Sequence, residues 1–348
     1  MSGIEVRADR TEGDAVVAAA RAGDESAFGV LVGRHRRELH VHCYRMLGSF
    51  EDAEDMVQET FLRAWRGRAT FEGRSTFRAW LYRIATNACL DHLDRHPRHP
   101  VAREQPVLAD PDAARPRATE VLWLQPYPDR LLEPVAGRDA EPDSTVVAKE
   151  TIELAFMAAI QHLPPRQRAV LILRDVLGWS AKETSELLDM SVAAVKSALQ
   201  RARPALKEHL PARRSEWAPS ADPTREERAV LQRYIDAVEQ GDPAILAAAL
   251  RADAWQTMPP RPMWIMGGSA IVDAWRDAMV GPDAWGEWRV LPTWANRQPV
   301  AAAYLKRPGD TEYRASWLGV LRVEDGLIAQ ITTYGEDLFP IFDLAPTL

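Results

Sequence analysis

The stretch SFEDAEDMVQETFLRAWRG, residues 49–67, is written as a helix from end to end. Ser49 can accept from the unpaired N–H groups of a first turn, acids follow where the positive end of the helix dipole lies, and Gly67 supplies a stop. Ala53, Met56, Val57, Thr60, Phe61, Ala64 and Trp65 recur at helical spacing and define a core face. Asp52, Asp55, Gln58, Glu59, Arg63 and Arg66 fall on the opposite face. Such polar faces are most often only solvated, so this one carries no function by itself.

Immediately downstream lies TFEGRSTFRAWLYRIATNACLDHLDRH, residues 70–96, where Ser75 is the expected cap of a second helix. Its seam is Phe77, Trp80, Leu81, Ile84 and Ala88, with Cys89 to one side, and Arg78, Arg83, Asn87 and Arg95 decorate it with donors. Phe71, Gly73 and Arg74 form a short loop ahead of it. Rings interleaved with cations suit single-stranded nucleic acid, since bases stack on the rings while cations hold phosphates. Phe71 could equally belong to the core.

A second helical block occupies residues 151–203, TIELAFMAAIQHLPPRQRAVLILRDVLGWSAKETSELLDMSVAAVKSALQRAR. Pro164 and Pro165 fit a helix start, where a missing N–H costs little, and Gly178 fits its end. Ser180 with Glu183 spells a capping box for the next helix, and Ser191 caps the one after, following a turn at Asp189 and Met190. Two short helices so joined match helix-turn-helix geometry, whose second helix enters the major groove. On that helix Val192, Val195, Leu199 and Ala202 read as the buried seam, leaving Ala193, Ala194, Lys196, Ser197, Gln200, Arg201 and Arg203 outward. Pro204 is expected to end or kink the helix.

The whole chain has 348 residues, enough for two or three domains, and its 46% apolar and 27% charged residues are ordinary for globular protein. No apolar run approaches the roughly 20 residues of a membrane span, and residues 1–10 lack the apolar core of a secretory signal, so a reducing cytoplasm without membrane contact is expected. Two cysteines, Cys43 and Cys89, cannot build a disulfide framework. The net charge of -7 disfavours indiscriminate nucleic-acid binding, yet Lys196, Arg201, Arg203, Lys207, Arg213 and Arg214 face a single acid, Glu208, over residues 191–214. Metal-ligand clusters, phosphate loops and nucleophile elbows are absent from the pattern, so neither cofactor nor metal is expected.

The segments AFGVLVGRHRRELHVHCYRMLGSFEDAEDMVQETFLRAWRG (27–67) and FEGRSTFRAWLYRIATNACLDHL (71–93) resemble region 2 of extracytoplasmic-function sigma factors, and LPPRQRAVLILRDVLGWSAKETSELLDMSVAAVKSALQRAR (163–203) resembles region 4. The resemblance implies a promoter-recognition subunit of RNA polymerase. It implies that Asp55, Gln58 and Glu59 bind the clamp helices of the beta-prime subunit of core polymerase, with further contact to the beta subunit. Phe71, Arg74, Arg83 and Asn87 would capture the melted minus-ten promoter DNA. Ala194, Lys196, Ser197, Gln200, Arg201 and Arg203 would read the minus-thirty-five element. The Pro-rich segment between the regions, about 45 residues, can span at most roughly 150 Å, ample for elements about 60 to 70 Å apart. It contains an apolar island, VLWLQPYPDRLL (121–132), carrying a Trp-Leu-x-Pro motif related to one in family members with C-terminal extensions. Trp123, Leu124 and Tyr127 are expected to pack against the C-terminal domain.

Beyond a second Pro-rich linker, TREERAVLQRYIDAVEQGD (224–242) and PAILAAALRAD (243–253) read as helices. Strand-like runs follow at Trp288–Trp294, Val300–Lys306, Tyr313–Val323 and Leu327–Tyr334, with Glu324-Asp325-Gly326 as a hairpin turn. The order, with segments YIDAVEQGD and WRVLPTWANRQPVAAAYL, resembles SnoaL-like domains of the nuclear-transport-factor-2 superfamily. The fold class expected is therefore multidomain: two all-α sigma domains, at 12–96 and 145–210, joined by linker 97–144, then linker 211–223 and an α+β cone at 224–348. Trp255, Trp264, Trp275, Trp285, Trp288, Trp294 and Trp317 could fill the cone or line a cavity for a small-molecule ligand. The superfamily includes enzymes, so a SnoaL-like enzyme fused to a DNA-binding module is one alternative. No histidine follows His209, and Asp253, Asp273, Tyr304 and Tyr313 are the remaining acid-base candidates. A one-component regulator with an effector-binding cone is another, though it leaves the first domain unexplained. Regulation by a non-enzymatic C-terminal domain is the expected role.

Overall fold

The computed structural model describes residues 15–73, 75–99, 101–102, 108–109, 119–121, 123–132, 154–210, 224–282 and 284–348. They divide into two compact units, residues 1–99 with 159–210, and residues 100–158 with 211–348.

The first unit is helical: α1 (15–22), α2 (Glu25–Leu47), α3 (Phe50–Gly67) and α4 (Phe77–Arg95), then the end of α5 (Leu154–Gln161, which enters the unit at Ala159), α6 (Pro165–Leu171), α7 (Ala181–Leu188) and α8 (Val192–His209). Ser49 caps α3 as expected, accepting from Asp52 N–H at 3.2 Å. The cap of α4 is Thr76 in place of Ser75, accepting from Ala79 N–H at 3.1 Å. Leu39, Cys43, Tyr44, Met46 and Leu47 of α2 meet Ala53, Val57 and Ala64 of α3 and Leu81, Ala85 and Ala88 of α4 in a closed core. Cys43 and Cys89 are free thiols inside it, and burial pushes the Cys89 thiol up.

α6 continues through a π-helical turn, Ile172–Val176. Ser180 and Glu183 form the expected capping box of α7, Asp189 ends that helix in the left-handed region at φ 52, and Ser191 caps α8. Two expectations for α8 are corrected. Val192 is 39% exposed, because it stands in the first turn ahead of the seam of Val195, Ala198, Leu199 and Ala202. The helix also runs through Pro204 to His209; Pro204 is exposed, so the carbonyl that loses its N–H partner faces water.

The two helical groups pack directly. Arg168, fully buried, donates to the carbonyls of Ile160 (3.0 Å), Gln161 (2.9 Å) and Leu163 (3.1 Å) and reaches across to that of Met46; Gln161 Nε2 donates to Arg45 O at 3.2 Å. Burial lowers the Arg168 guanidinium to about 9. The Trp179 ring lies 5.4 Å from that of Tyr82 on α4.

The second unit begins with short linker strands β1 (Val101–Ala102), β2 (Leu108–Ala109) and β3 (Thr119–Glu120) and continues with α9 (Arg225–Gln240), α10 (Pro243–Ala249), β4 (Leu250–Met258), β5 (Arg261–Met266), α11 (Gly268–Met279) and β6 to β9 (Glu287–Ala295, Gln298–Lys306, Arg314–Glu324, Leu327–Gly335). The sheet order is β2-β5-β4-β9-β8-β7-β6, with β2–β5 and β4–β9 parallel. The last four strands fall where the alternation placed them, and Asp325-Gly326, both at positive φ, make the two-residue turn. The second helix is shorter than expected, since the chain leaves Ala249 directly into β4; β4, β5 and α11 were not among the expected elements, although Ile271, Val272, Trp275 and Met279 stand at helical spacing in α11. Val230, Tyr234 and Val238 of α9 and Ile271 and Val272 of α11 pack on Val290, Ala301, Ala303, Leu321 and Ile331 of the sheet. The other face of β7 is covered by the C-terminal segment: the ring of Tyr304 meets Phe339 at 5.1 Å and its hydroxyl donates to Ala345 O at 3.0 Å.

Candidate functional site

In the first unit α3 presents Asp55 and Gln58 exposed and Glu59 half-buried along one side. Gln58 Nε2 approaches Glu54 Oε1 at 3.4 Å, while Glu59 accepts from Arg63 Nε at 2.7 Å, and Arg63 reaches Asp91 at 2.7 Å. Asp52, expected outward, is half-buried and held by Arg98 at 2.7 Å.

Phe71 is 8% exposed and packs edge-on to Phe77 (5.5 Å, 88°) and tilted on Trp80 (5.3 Å). The core alternative for this ring is the one the structure adopts, and the cluster anchors the turn at Glu72 and Gly73. Arg83 and Asn87 are exposed on α4, four residues apart and so on one face. Arg74 lies outside the described residues. Beneath this helix Arg78 donates to Glu38 at 2.6 Å, and Tyr82 OH donates to the same carboxylate at 3.2 Å; Glu38 is held below the usual carboxylate range because its bonds from His35 and Arg78 outweigh the opposing effect of burial.

On α8 Lys196, Ser197, Gln200, Arg201 and Arg203 are exposed and Ala194 half-buried, the disposition a groove-reading helix requires. Arg203 is engaged: its Nε and Nη2 donate to the two oxygens of Asp175 at 2.9 and 2.8 Å.

In the second unit the linker island lies on the turn between β6 and β7. Asn296 and Arg297 hold positive φ there, 53° and 60°. Tyr127 N–H donates to Asn296 Oδ1 at 2.7 Å, Asn296 N–H donates to Tyr127 O at 2.9 Å, and Arg297 N–H donates to Asp129 Oδ1 at 3.0 Å. Leu124 and Tyr127 are buried and Trp123 half-buried. Arg130 Nη2 adds a bond to Ile341 O at 2.8 Å. The apolar island thus has the burial it needs, and its backbone pairing with a hairpin turn was invisible in residue types alone.

Residues 31–99 match the family described as Sigma-70 region 2, residues 153–206 that described as Sigma-70, region 4, and residues 231–331 the SnoaL-like domain. The chain is 41% identical over 331 residues to the ECF RNA polymerase sigma factor SigG of Mycobacterium tuberculosis (strain CDC 1551 / Oshkosh), covering 94% of this chain and 86% of the relative. The chain belongs to the ECF RNA polymerase sigma factors. This sigma factor is also 32% identical to SigW of Bacillus subtilis (strain 168), over 55% of its own length and 92% of the relative. The crystal structure of the Mycobacterium tuberculosis extracytoplasmic function sigma factor SigJ shares its fold, with a TM-score of 0.54 at 21% identity over 89% of this chain and 97% of that one. The function of the chain is accordingly that of a sigma factor in transcription initiation, on two helical sigma regions followed by an α+β SnoaL-like domain.

The four acid-base candidates of the cone are dispersed. Asp253 is exposed and paired with Arg251 at 2.8 Å, whose bond holds its carboxyl below the usual range. Asp273 pairs with Arg276, Tyr304 bonds Ala345 O, and Tyr313 OH donates to Glu287 at 2.9 Å. Among the described residues no group of histidines, cysteines or acids could hold a metal ion, and no helix is long and apolar enough to cross a membrane.

Proposed function

We propose that this sigma factor acts in the cytoplasm by binding core RNA polymerase through Asp55, Gln58 and Glu59 on the beta-prime clamp helices, with the beta subunit as a further contact. Arg74, Arg83 and Asn87 engage minus-ten DNA, with Phe71 as the packed base of that loop. Ala194, Lys196, Ser197, Gln200, Arg201 and Arg203 read the minus-thirty-five element. The observation that carries the reading is the outward polar face of α3 in a chain that also matches both sigma regions. The C-terminal unit is a regulatory module, coupled to the sigma regions through Trp123, Leu124 and Tyr127 of the linker, and it takes a small-molecule ligand rather than turning one over. Its non-catalytic role is supported by the dispersal of its acids and tyrosines, each tied to a neighbour.

The test is co-purification with core polymerase. Alanine at Asp55, Gln58 and Glu59 together should abolish it while moving the melting temperature by no more than about 2 °C, since surface changes cost little. Undiminished binding by the triple variant would remove α3 from the interface. A wild-type chain that binds promoter DNA but never core polymerase would favour the one-component regulator instead.

A further inference from the structure

The second helix of the helix-turn-helix, α8, begins at a complete cap: Ser191 Oγ accepts from Ala194 N–H at 3.1 Å and Ser191 O from Val195 N–H at 3.0 Å. The side chains that follow the cap are aliphatic. Val192 is 39% exposed, Ala193 is exposed and Ala194 half-buried, and the first charged side chain is Lys196 in the next turn. Among the described residues 154–210, Val192 is the one large apolar side chain left exposed. The first turns of α3, α7 and α9 carry acids that answer the positive end of the helix dipole: Glu51 and Asp52, Glu183, and Glu226 and Glu227. The first turn of α8 carries none. An acid there would be repelled by the phosphates of a DNA groove, whereas the exposed Lys196 and Arg201 further along the helix are attracted to them.

The N-terminal residues of a recognition helix are the ones that reach base edges, so an aliphatic first turn limits what can be read there. Every base presents donors or acceptors to the major groove, and thymine alone adds a methyl group, at C5. A valine has neither donor nor acceptor. Against guanine, adenine or cytosine it would strip water from polar edge atoms and return no hydrogen bond. Against the methyl of thymine it removes apolar surface from water on both sides of the contact. A valine in a helix is also held in one strongly preferred rotamer, so its methyl groups are in place before DNA arrives.

We infer that Val192 selects a thymine within the minus-thirty-five element by packing on its C5-methyl group. The inference rests on the reading of α8 as the groove helix and adds to it a residue and a base.

The probes are duplexes carrying the minus-thirty-five element enriched by the wild-type holoenzyme from a random pool, each with a single thymine replaced by deoxyuridine, which removes the C5-methyl and nothing else. In filter binding with the holoenzyme, one such replacement should weaken binding about three- to fourfold, the effect of one methyl group losing its apolar contact. Val192→Ala should weaken binding to the thymine duplex by a similar factor and should no longer distinguish thymine from deoxyuridine at that position. The comparison is a ratio within one variant, so neither a fraction unfolded nor an effect of deoxyuridine on the duplex itself can produce the loss of discrimination. The proposal is overturned if the enriched element contains no thymine, if every replacement leaves wild-type binding unchanged, or if Val192→Ala discriminates as the wild type does. Arg201→Ala keeps the two readings apart: if it weakens binding while any of those outcomes holds, Val192 alone is removed from base recognition, and if Arg201→Ala and Val192→Ala both bind like the wild type, the assignment of α8 falls with it.

Discussion

His42 is fully buried in α2, its Nε2 2.9 Å from Thr86 Oγ1. Burial, reinforced by the nearby Arg45 charge, lowers its pKa from 6.5 to about 3. The unfolded chain therefore takes up a proton below about pH 6.5 that the native chain refuses, so the stability contributed by the neutral ring is complete above that pH and is lost as pH falls toward 3. At pH 5 the loss is about 2 kcal/mol. All eight histidines of the chain lie at or before His209, so the cone has none. Thermal melts from pH 7 to 5 should show the helical unit losing stability faster than the C-terminal one, and His42→Gln should flatten the slope of the helical transition by about one proton. An unchanged slope would mean that the burial of His42 does not govern acid sensitivity.

At the scale of elements, α8 shows how neighbouring cations acquire different roles. Arg201 is exposed at the middle of the helix, whereas Arg203 must release Asp175 before it can reach a phosphate. Arg201→Ala should weaken promoter binding by the holoenzyme by about 1 to 3 kcal/mol if it pairs with guanine, and Arg203→Ala should cost less. Asp175→Asn should free Arg203 and strengthen binding about two- to fivefold at low salt, with a steeper salt dependence. Equal losses at Arg201 and Arg203 in filter binding would show that the Asp175 pair exerts no restraint. The turn between β6 and β7 is the matching case in the cone. Asn296→Gly keeps the positive φ accessible but removes the acceptor of Tyr127 N–H, leaving a buried donor worth about 1 to 3 kcal/mol. Cleavage at Arg130 under limited proteolysis should accelerate roughly 5- to 150-fold with the melt of the cone unchanged. Unaltered cleavage would place the hold of the linker elsewhere.

Across the helical unit the two sigma regions are in contact, with Trp179 against Tyr82 and Arg168 and Gln161 on the carbonyls of Arg45 and Met46. Elements 17 to 20 base pairs apart are about 60 to 70 Å distant, far more than packed helices span, so this contact must open when both are read together. An aromatic pair contributes about 0.5 to 1.5 kcal/mol beyond its buried area, and Trp179→Ala should shift the population toward the open arrangement about two- to tenfold. At limiting core polymerase, run-off transcription should rise by that factor; no change, with folding intact, would mean that opening is not limiting.

Much of this was legible in residue order because the signals are local. Caps at Ser49, Ser180 and Ser191, the helical spacing of apolar residues in α3 and α4, the Asp325-Gly326 turn and the alternation of β6 to β9 each depend on neighbours a few positions away, and helix and strand periodicities report them directly. The polar faces of α3 and α8 were legible for the same reason. Tertiary structure alone decided what depends on distant partners. It ended α10 at Ala249 because Leu250 finds a ladder on β9, and it buried Phe71 between Phe77 and Trp80. It engaged Arg203 with Asp175, twenty-eight residues away, and laid Tyr127 on Asn296, 169 residues on. It also brought Trp275, Trp288 and Trp317 around one uncharged cavity. Composition names such residues but cannot pair them, because their energies come from desolvation and hydrogen bonds that exist only once the chain has closed on itself.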